Sequence, residues 1–289
     1  MNVQLPQISV LMPTWNAEQF LAEAVESVLA QTFRDFELII VDGGSSDRTL
    51  EILSHYKDSR IRVLQAPAAG ILPALNFGIE EARAPWIARQ DADDISLPHR
   101  FEIQWKALNR RSGAIFSHTN YELIGEGSST VGRNQFARSQ AFMALRFCFM
   151  CGIVHSSVMF KKEAALAVGG YREKQAEDYA LWGRLVETGR CIGIPEKLLQ
   201  FRMHPVSASN RHRKMMQAFA QEIAIRHCQR FMQLSKLQAE RAYRALADRG
   251  RSRKEWLWLL THCIPRFRWR STEMYAWLGL QTLKTFGRI

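Results

Sequence analysis

Two short runs near the start of the chain fix what it can fold into. Ile8-Ser9-Val10-Leu11-Met12-Pro13 and Phe36-Glu37-Leu38-Ile39-Ile40-Val41 carry apolar residues on both faces of an extended strand. Between them, residues 18–32 place Phe20, Leu21, Ala24, Val25, Val28 and Leu29 at helical spacing. A strand that is apolar on both sides must be covered on both sides. Strand, helix, strand in that order predicts an α/β fold with a parallel sheet and helices on both faces. Ligands of such sheets bind beyond the carboxyl ends of the strands. Thr14, Asn16, Asp42 and Asp91 fall at such ends.

The acidic run Asp91-Ala92-Asp93-Asp94 follows the apolar Pro85-Trp86-Ile87-Ala88. Three carboxylates in four residues repel one another, so they cost stability unless a cation compensates them. Oxygen ligands at a strand end suit Mg²⁺ or Mn²⁺. Such an ion can clamp a nucleotide diphosphate and neutralise it as a leaving group. The competing reading is a solvated acidic turn with a helix cap at Ser96.

Asp42 heads Asp42-Gly43-Gly44-Ser45-Ser46-Asp47. A carboxylate there can accept hydrogen bonds from a ribose or a base, and the glycines let the backbone turn sharply. Asp-Gly-Gly is also ordinary turn chemistry. There is no Gly-x-Gly-x-x-Gly after the first strand and no Gly-Lys-Ser/Thr loop. That argues against a dinucleotide-dependent dehydrogenase and against a P-loop enzyme.

Several segments, in order, carry a resemblance. They are Val10-Leu11-Met12-Pro13-Thr14-Trp15-Asn16, Ser27 to Thr32, Glu37 to Asp47, and Gly70 to Gly78 with Asn76. Ala88 to Asp94 follows, then Gly169-Gly170-Tyr171 and Glu177-Asp178-Tyr179-Ala180-Leu181-Trp182. Together they resemble the family 2 glycosyltransferases of GT-A fold, over about residues 7–205. The resemblance implies a nucleotide-sugar donor, usually a UDP-sugar, and inversion at the anomeric carbon. It places Pro13, Thr14, Asn16, Glu18, Asp42 and Asn76 around the nucleoside and Arg89 beside the nucleotide. Asp91 and Asp93 match the family's Asp-x-Asp metal motif, with Asp93 as the direct ligand of Mg²⁺ or Mn²⁺. Asp178 matches the general base that deprotonates the acceptor hydroxyl. Glu177, Trp182 and His155 fall on the acceptor side.

Inversion requires a carboxylate opposite the leaving diphosphate and within hydrogen-bond reach of the acceptor oxygen. Tyr179 to Val186 reads as helix, so a helix N-terminus is expected beside Asp178. Its dipole should hold the Asp178 pKa down. The competing reading makes Glu177-Asp178 a helix cap. Arg202-Met203-His204-Pro205-Val206-Ser207-Ala208-Ser209 follows the strand-like Ile194 to Phe201 and resembles the family's arginine-x-histidine followed by serines. It would bring His204 to the metal or diphosphate on a segment that closes over the donor; the competing reading is a structural histidine after a strand. The processive members' Gln-x-x-Arg-Trp is absent from Gln200-Phe201-Arg202-Met203-His204, which favours transfer of one sugar.

At 289 residues, 47% of them apolar, the chain can bury a full core. Its net charge of +11 is unevenly spread. Residues 1–210 hold 22 Lys and Arg against 23 Asp and Glu, whereas residues 211–289 hold 17 against 5. The expected organisation is a catalytic domain over 1–210, with a nucleotide-sugar half to about 95 and an acceptor half from 96. A basic helical extension follows over 211–289. That extension carries Trp256, Trp258, Trp269 and Trp277, and Met215 to Arg249 lacks Pro and Gly. Basic and aromatic residues together suit an anionic membrane surface. Nucleic acid is not expected, since no recognition motif accompanies the charge. The blander alternatives are helices packed on the catalytic domain with a solvated basic face, and an oligomer.

No apolar run reaches the ~18 residues of a spanning helix. No basic segment followed by an apolar stretch opens the chain, so a cytoplasmic enzyme, peripheral on the cytosolic membrane face, is expected. Five cysteines fit a reducing compartment. Cys148 and Cys151 form one Cys-x-x-Cys in an apolar segment with no second pair, which reads as buried free thiols. Two other classes compete with a glycosyltransferase. A sugar-phosphate nucleotidyltransferase should show a glycine- and arginine-rich signature near the N-terminus, absent here. A non-catalytic membrane adaptor would need only the tail.

Overall fold

The structure, a computed structural model, describes residues 5–125, 138–204, 213–247 and 252–286. The chain forms two compact units. One comprises Met1–Asn134 and Ile153–Ser207, the other Gln135–Gly152 and Ala208–Ile289. The boundary expected at 210/211 lies outside the described residues, as do Pro205 to Ser209. Residues 135–152, placed by sequence with the first 210, fall in the second unit.

The first unit is built on strands β1 (Ile8–Thr14), β2 (Phe36–Asp42), β3 (Ile61–Gln65), β4 (Trp86–Arg89), β5 (Ile95–Ser96), β6 (Ala114–Ile124), β7 (Val158–Lys161) and β8 (Arg190–Arg202). They form one sheet in the order β3-β2-β1-β4-β7-β6-β8-β5. β1 pairs parallel with β2 and β4, and β2 parallel with β3. β7 is antiparallel to both β4 and β6, β8 is parallel to β6, and β5 is antiparallel to β8. The parallel half is the part that the apolar runs predict. The second half is mixed.

Helices α1 (Leu21–Leu29), α2 (Thr49–Ser54), α3 (Ile71–Glu81) and α4 (Arg100–Asn109) follow the early strands. α5 (Gln140–Phe147) belongs to the second unit, while α6 (Lys162–Ala167) and α7 (Glu177–Leu185) return to the first. Every residue of β1 and β2 is buried, as two-sided cover demands. α1 buries the stripe Leu21, Ala24, Val25 and Val28 in that core. Each large aliphatic of such a stripe stabilises the fold by roughly 1.5–3 kcal/mol. α3 lies so close to the sheet that a Cβ at Gly78 would meet Leu11 Cδ1 at 2.1 Å.

The second unit adds α8 (Arg213–Met232), α9 (Lys236–Ala247), α10 (Arg253–Trp258) and α11 (Thr272–Thr285). The run from Met215 that lacks Pro and Gly nonetheless breaks at Gln233, whose φ is +53°. Ser235 and Gln238 form a capping box that starts α9: the Ser235 N–H donates to Gln238 Oε1 at 3.0 Å, and the Gln238 N–H to Ser235 Oγ at 3.4 Å. The tryptophans correct an expectation. Trp256 is 0% and Trp277 7% exposed, Trp269 packs edge-on to Phe231 at 5.1 Å, and Trp258 lies under Arg241 at 4.1 Å. Trp256 and Trp277 are interior groups of this unit and Trp258 and Trp269 are partly buried against its other side chains, since large aromatic rings bury more surface than any other side chain can. All five cysteines are free, and Cys148, Cys191, Cys228 and Cys263 are buried.

Candidate active site

The loops after β1 and β2 are laced together. Thr14 and Asp42 are register partners, and Thr14 Oγ1 donates to Asp42 Oδ1 at 3.4 Å. The buried Asp42 carboxylate also accepts from the Gly44 N–H (2.9 Å), the Ser45 N–H (3.0 Å) and the Ser45 hydroxyl (2.5 Å). Gly44 has φ +90°, which a side chain would strain. Asn16 Oδ1 accepts from the Ser46 N–H at 2.8 Å, and Glu18 Oε2 from the Arg48 N–H at 3.0 Å. Thr14, Asn16, Glu18 and Asp42 are thus gathered at one edge, beside the buried Pro13. Trp15 stands there 61% exposed, a broad apolar face that sequence quoted only as part of a motif.

The acidic run follows β4. Arg89 is buried beneath it and donates to Asp91 Oδ1 at 2.5 Å and to the Gln90 carbonyl. Ser156 Oγ donates to Asp91 Oδ2 at 2.5 Å and accepts from the Asp91 N–H at 3.0 Å. Arg89, expected beside the nucleotide, is therefore spent on the loop itself. Burial works to raise the Asp91 pKa, yet the Arg89 guanidinium and the Ser156 hydroxyl together hold it below the usual range. Asp93 and Asp94 go the other way, pushed up by burial and then by neighbouring carboxylates. Arg202 binds this run from β8, its N–H on Asp94 Oδ1 at 2.8 Å and its Nε on the Asp93 carbonyl at 2.8 Å. His204 Nε2 lies 2.9 Å from Asp93 Oδ2. Beneath, the buried Arg100 donates to Gln90 Oε1, Ser96 Oγ and the Arg89 and Val158 carbonyls.

Among the described residues no preformed cage of three His, Cys, Asp or Glu groups is present. The loop nonetheless fits a hard cation. Asp94 Oδ2 is buried with no hydrogen-bond partner, and Asp93 and Asp94 resist ionising together without one. Asp93 with His204 would hold the ion. Asp91 has both carboxylate oxygens engaged by Arg89 and Ser156, so it orients the loop.

Glu177 and Asp178 open α7. Asp178 was expected to have a lowered pKa, and this is corrected. Burial raises its pKa to about 6, and the neighbouring Asp91 adds to that against the Tyr179 N–H, which donates to its Oδ1 at 2.7 Å. Burial and then Asp178 raise Glu177 to about 7. The field of Asp91 reaches both, so the acidic loop and this pair lie near one another in the fold. His155 Nε2 lies 2.8 Å from the Tyr171 hydroxyl, and burial, then Arg89, pushes its pKa well below the ordinary value, so the ring is neutral. Trp182, placed by sequence on the acceptor side, is 1% exposed among Phe116, Phe160, His155 and Tyr171. It offers no surface to an acceptor and braces the wall behind. Asn76, assigned to the nucleoside, spends its amide on the Tyr171 backbone, at 2.8 and 2.9 Å. Sequence missed Ser156, Arg100 and Tyr171 because each acts across the fold on groups far away in the chain.

The sequence model of glycosyl transferase family 2 matches residues 9–168. The chain is 32% identical over 217 residues to the putative glycosyltransferase EpsE of Bacillus subtilis, covering 68% of this chain and 73% of that protein. It is 32% identical over 188 residues to WfgD of Escherichia coli, a UDP-Glc:α-D-GlcNAc-diphosphoundecaprenol β-1,3-glucosyltransferase, covering 65% and 72%. Among solved structures, S. aureus TarS 1–349 in complex with UDP-GlcNAc superposes with a TM-score of 0.65 at 14% identity, covering 96% of this chain and 81% of that one. That likeness is one of fold, and the fold is GT-A with added C-terminal helices. The chain belongs to glycosyl transferase family 2.

Proposed function

We propose that this family 2 glycosyltransferase moves one sugar from a nucleotide-sugar, a UDP-sugar first among them, to a hydroxyl of a saccharide or lipid-linked saccharide, with inversion at the anomeric carbon. The observation that carries the reading is that two unlike acidic groups, far apart in sequence, come close enough in the fold to act on one another. Asp91 acts electrostatically on Glu177 and Asp178 although they lie in different elements. The donor's nucleoside lies along Thr14, Asn16, Glu18 and Asp42, with the exposed Trp15 offering a face to the base. The diphosphate lies toward Asp93 and His204, where Mg²⁺ or Mn²⁺ would supply charge neutralisation of the leaving group.

Asp178 takes the proton from the acceptor hydroxyl as that oxygen attacks the anomeric carbon. A carboxyl raised to about 6 is a stronger base than an ordinary aspartate and is still ionised near neutral pH. Glu177, raised to about 7, lies beside it on the acceptor side with the neutral His155. WfgD's activity on a diphosphoundecaprenol-linked sugar, and the UDP-GlcNAc bound to TarS, support a UDP-sugar donor and a lipid-linked acceptor. A screen of nucleotide-sugars for thermal stabilisation with Mn²⁺ present tests the reading. A UDP-sugar should raise Tm at concentrations above its Kd. Stabilisation by a nucleoside triphosphate with a sugar phosphate, and by no nucleotide-sugar, would instead favour a nucleotidyltransferase.

The charge of the tail supports cytosolic, peripheral attachment to an anionic membrane. Its 17 basic residues against 5 acidic ones set the attraction, and each basic group close to such a surface contributes about 1 kcal/mol. With Trp256 and Trp277 inside, the apolar contact falls mainly to Tyr275, Leu280, Leu283 and Phe286, which are exposed at the C-terminal helix α11 and just beyond its end. No helix among the described residues is long and apolar enough to cross a membrane. Full-length protein should co-sediment with phosphatidylglycerol vesicles at low salt and leave them as salt rises. Protein that stays in the supernatant at low salt refutes the attachment.

A further inference from the structure

We propose that Asn76 and Arg184 are positioning residues for Asp178, which together fix α7 against the donor half of the fold. The inference rests on the reading of Asp178 as the base, and it gives Asn76 a different task from the nucleoside contact that the family resemblance implied.

The start of α7 needs such a device. Its N-cap position, Ala176, has φ +52° and provides no capping side chain. Asp178 turns its own Oδ1 onto the Tyr179 N–H, so no side chain from before the helix caps its entry. What holds it is the turn before it. Asn76, on α3, donates from Nδ2 to the Tyr171 carbonyl at 2.8 Å and accepts the Tyr171 N–H on Oδ1 at 2.9 Å. A primary amide matched to both backbone groups of one residue is a two-point lock, and both of its hydrogen-bonding ends are then used. The lock is tight: a Cβ on Gly170, which has φ +62°, would stand 2.6 Å from Asn76 Oδ1. From the other side Arg184, on α7 itself, donates Nη2 to the Gly170 carbonyl at 2.6 Å and Nη1 to Glu173 at 3.0 Å. The helix that carries Asp178 is thus bolted to the 169–173 turn, and the turn is bolted to α3. The same turn aims the Tyr171 hydroxyl at His155. An error of about 1 Å in a catalytic group can cost a hundredfold in rate, so a rigid two-bolt mount matters more here than its modest hydrogen-bond energy.

The variants are Asn76→Asp, which keeps the shape but sets a carboxylate oxygen against the Tyr171 carbonyl, and Arg184→Lys, which keeps the charge beside Glu173 but loses the fork. Three readouts are taken on the full chain: UDP affinity by calorimetry with Mn²⁺, the ¹³C titration of the Asp178 carboxyl, and steady-state turnover with the donor identified by the thermal screen. The wild-type Asp178 signal is assigned by its disappearance in Asp178→Asn. The expected result is UDP affinity within about twofold of wild type, a displaced Asp178 titration midpoint, and kcat lowered at least tenfold in Asn76→Asp and less in Arg184→Lys. A loss of UDP affinity that matches the loss of turnover in Asn76→Asp would overturn the proposal in favour of nucleoside contact. An unmoved Asp178 titration in both variants would also overturn it. Arg184→Lys keeps the proposal open to refutation should Asn76→Asp not fold. If instead Asp178→Asn itself turns over normally, the base assignment fails, and the titration shift still reports on the mount.

Discussion

Asp91-Ala92-Asp93-Asp94 and Glu177-Asp178 are both partly buried acidic clusters in one unit, but the protein answers their charge differently. The first is ringed by donors: Arg89 and Ser156 on Asp91, Arg202 on Asp94, His204 on Asp93, and Arg100 beneath. The second is met by backbone N–H groups and only by the field of Arg89, with no arginine hydrogen-bonded to it among the described contacts. Burial pushes every one of these carboxyls upward, and only Asp91 has partners enough to reverse it. A carboxylate that must stay an anion is paired with cations, whereas one that must take a proton is left nearly alone.

The largest test of that contrast is Asp178→Asn. It should leave UDP affinity near the wild-type value while turnover falls roughly 10²-fold or more, the usual scale of a lost general base. In the wild type the rate should rise with pH through about 6, as the carboxyl ionises. Wild-type turnover in the variant would make Asp178 a mere helix-start residue and erase the contrast.

The second test bears on the loop. UDP binding should be strengthened about tenfold by Mn²⁺ or Mg²⁺, and Asp93→Ala should remove that gain, because Asp93 is the loop carboxylate facing His204 with no arginine of its own. Calorimetry with and without EDTA reads this directly. Equal UDP affinity in both conditions for the wild type would refute the metal role and leave the loop as a purely internal network.

Local pattern accounts for what could be read in advance. The α1 stripe, the two-sided strands and the strand-end placement of Thr14 and Asp42 depend on spacing within a few residues, so the chain displays them openly. The pKa of Asp178 does not. A helix end argued for lowering it, but burial and Asp91, which lies far upstream, decide the sign. Asn76 was assigned to a nucleoside because nothing near it in sequence discloses Tyr171, 95 residues on. The tail's composition showed its tryptophans but not that Trp256 donates Nε1 to Thr282 Oγ1 inside a helical core. The Ser235/Gln238 capping box is the opposite case, a local signal in plain view that would have ended the long helix where it ends.

The smallest effect concerns stability. Asp178 has a folded pKa near 6, raised from the ordinary carboxylate value of 3.8, so between those two values the folded chain binds the proton more tightly than the unfolded chain. Stability contributed by that proton is fully present below about 4 and is lost as pH rises through about 6. Above 6 the buried charge is a standing cost. Two units correspond to nearly 3 kcal/mol at most, and partial exposure and interaction with Glu177 reduce this to about 1 kcal/mol. Asp178→Asn cannot ionise and escapes the cost. The variant should therefore melt higher than wild type at pH 8, by a few degrees, and the gap should close as the pH is lowered to 4. Melting curves of both proteins across that range decide it. A variant less stable than wild type at pH 8 would mean that the Asp178 carboxylate is held by favourable partners after all, and that the two acidic clusters are of one kind.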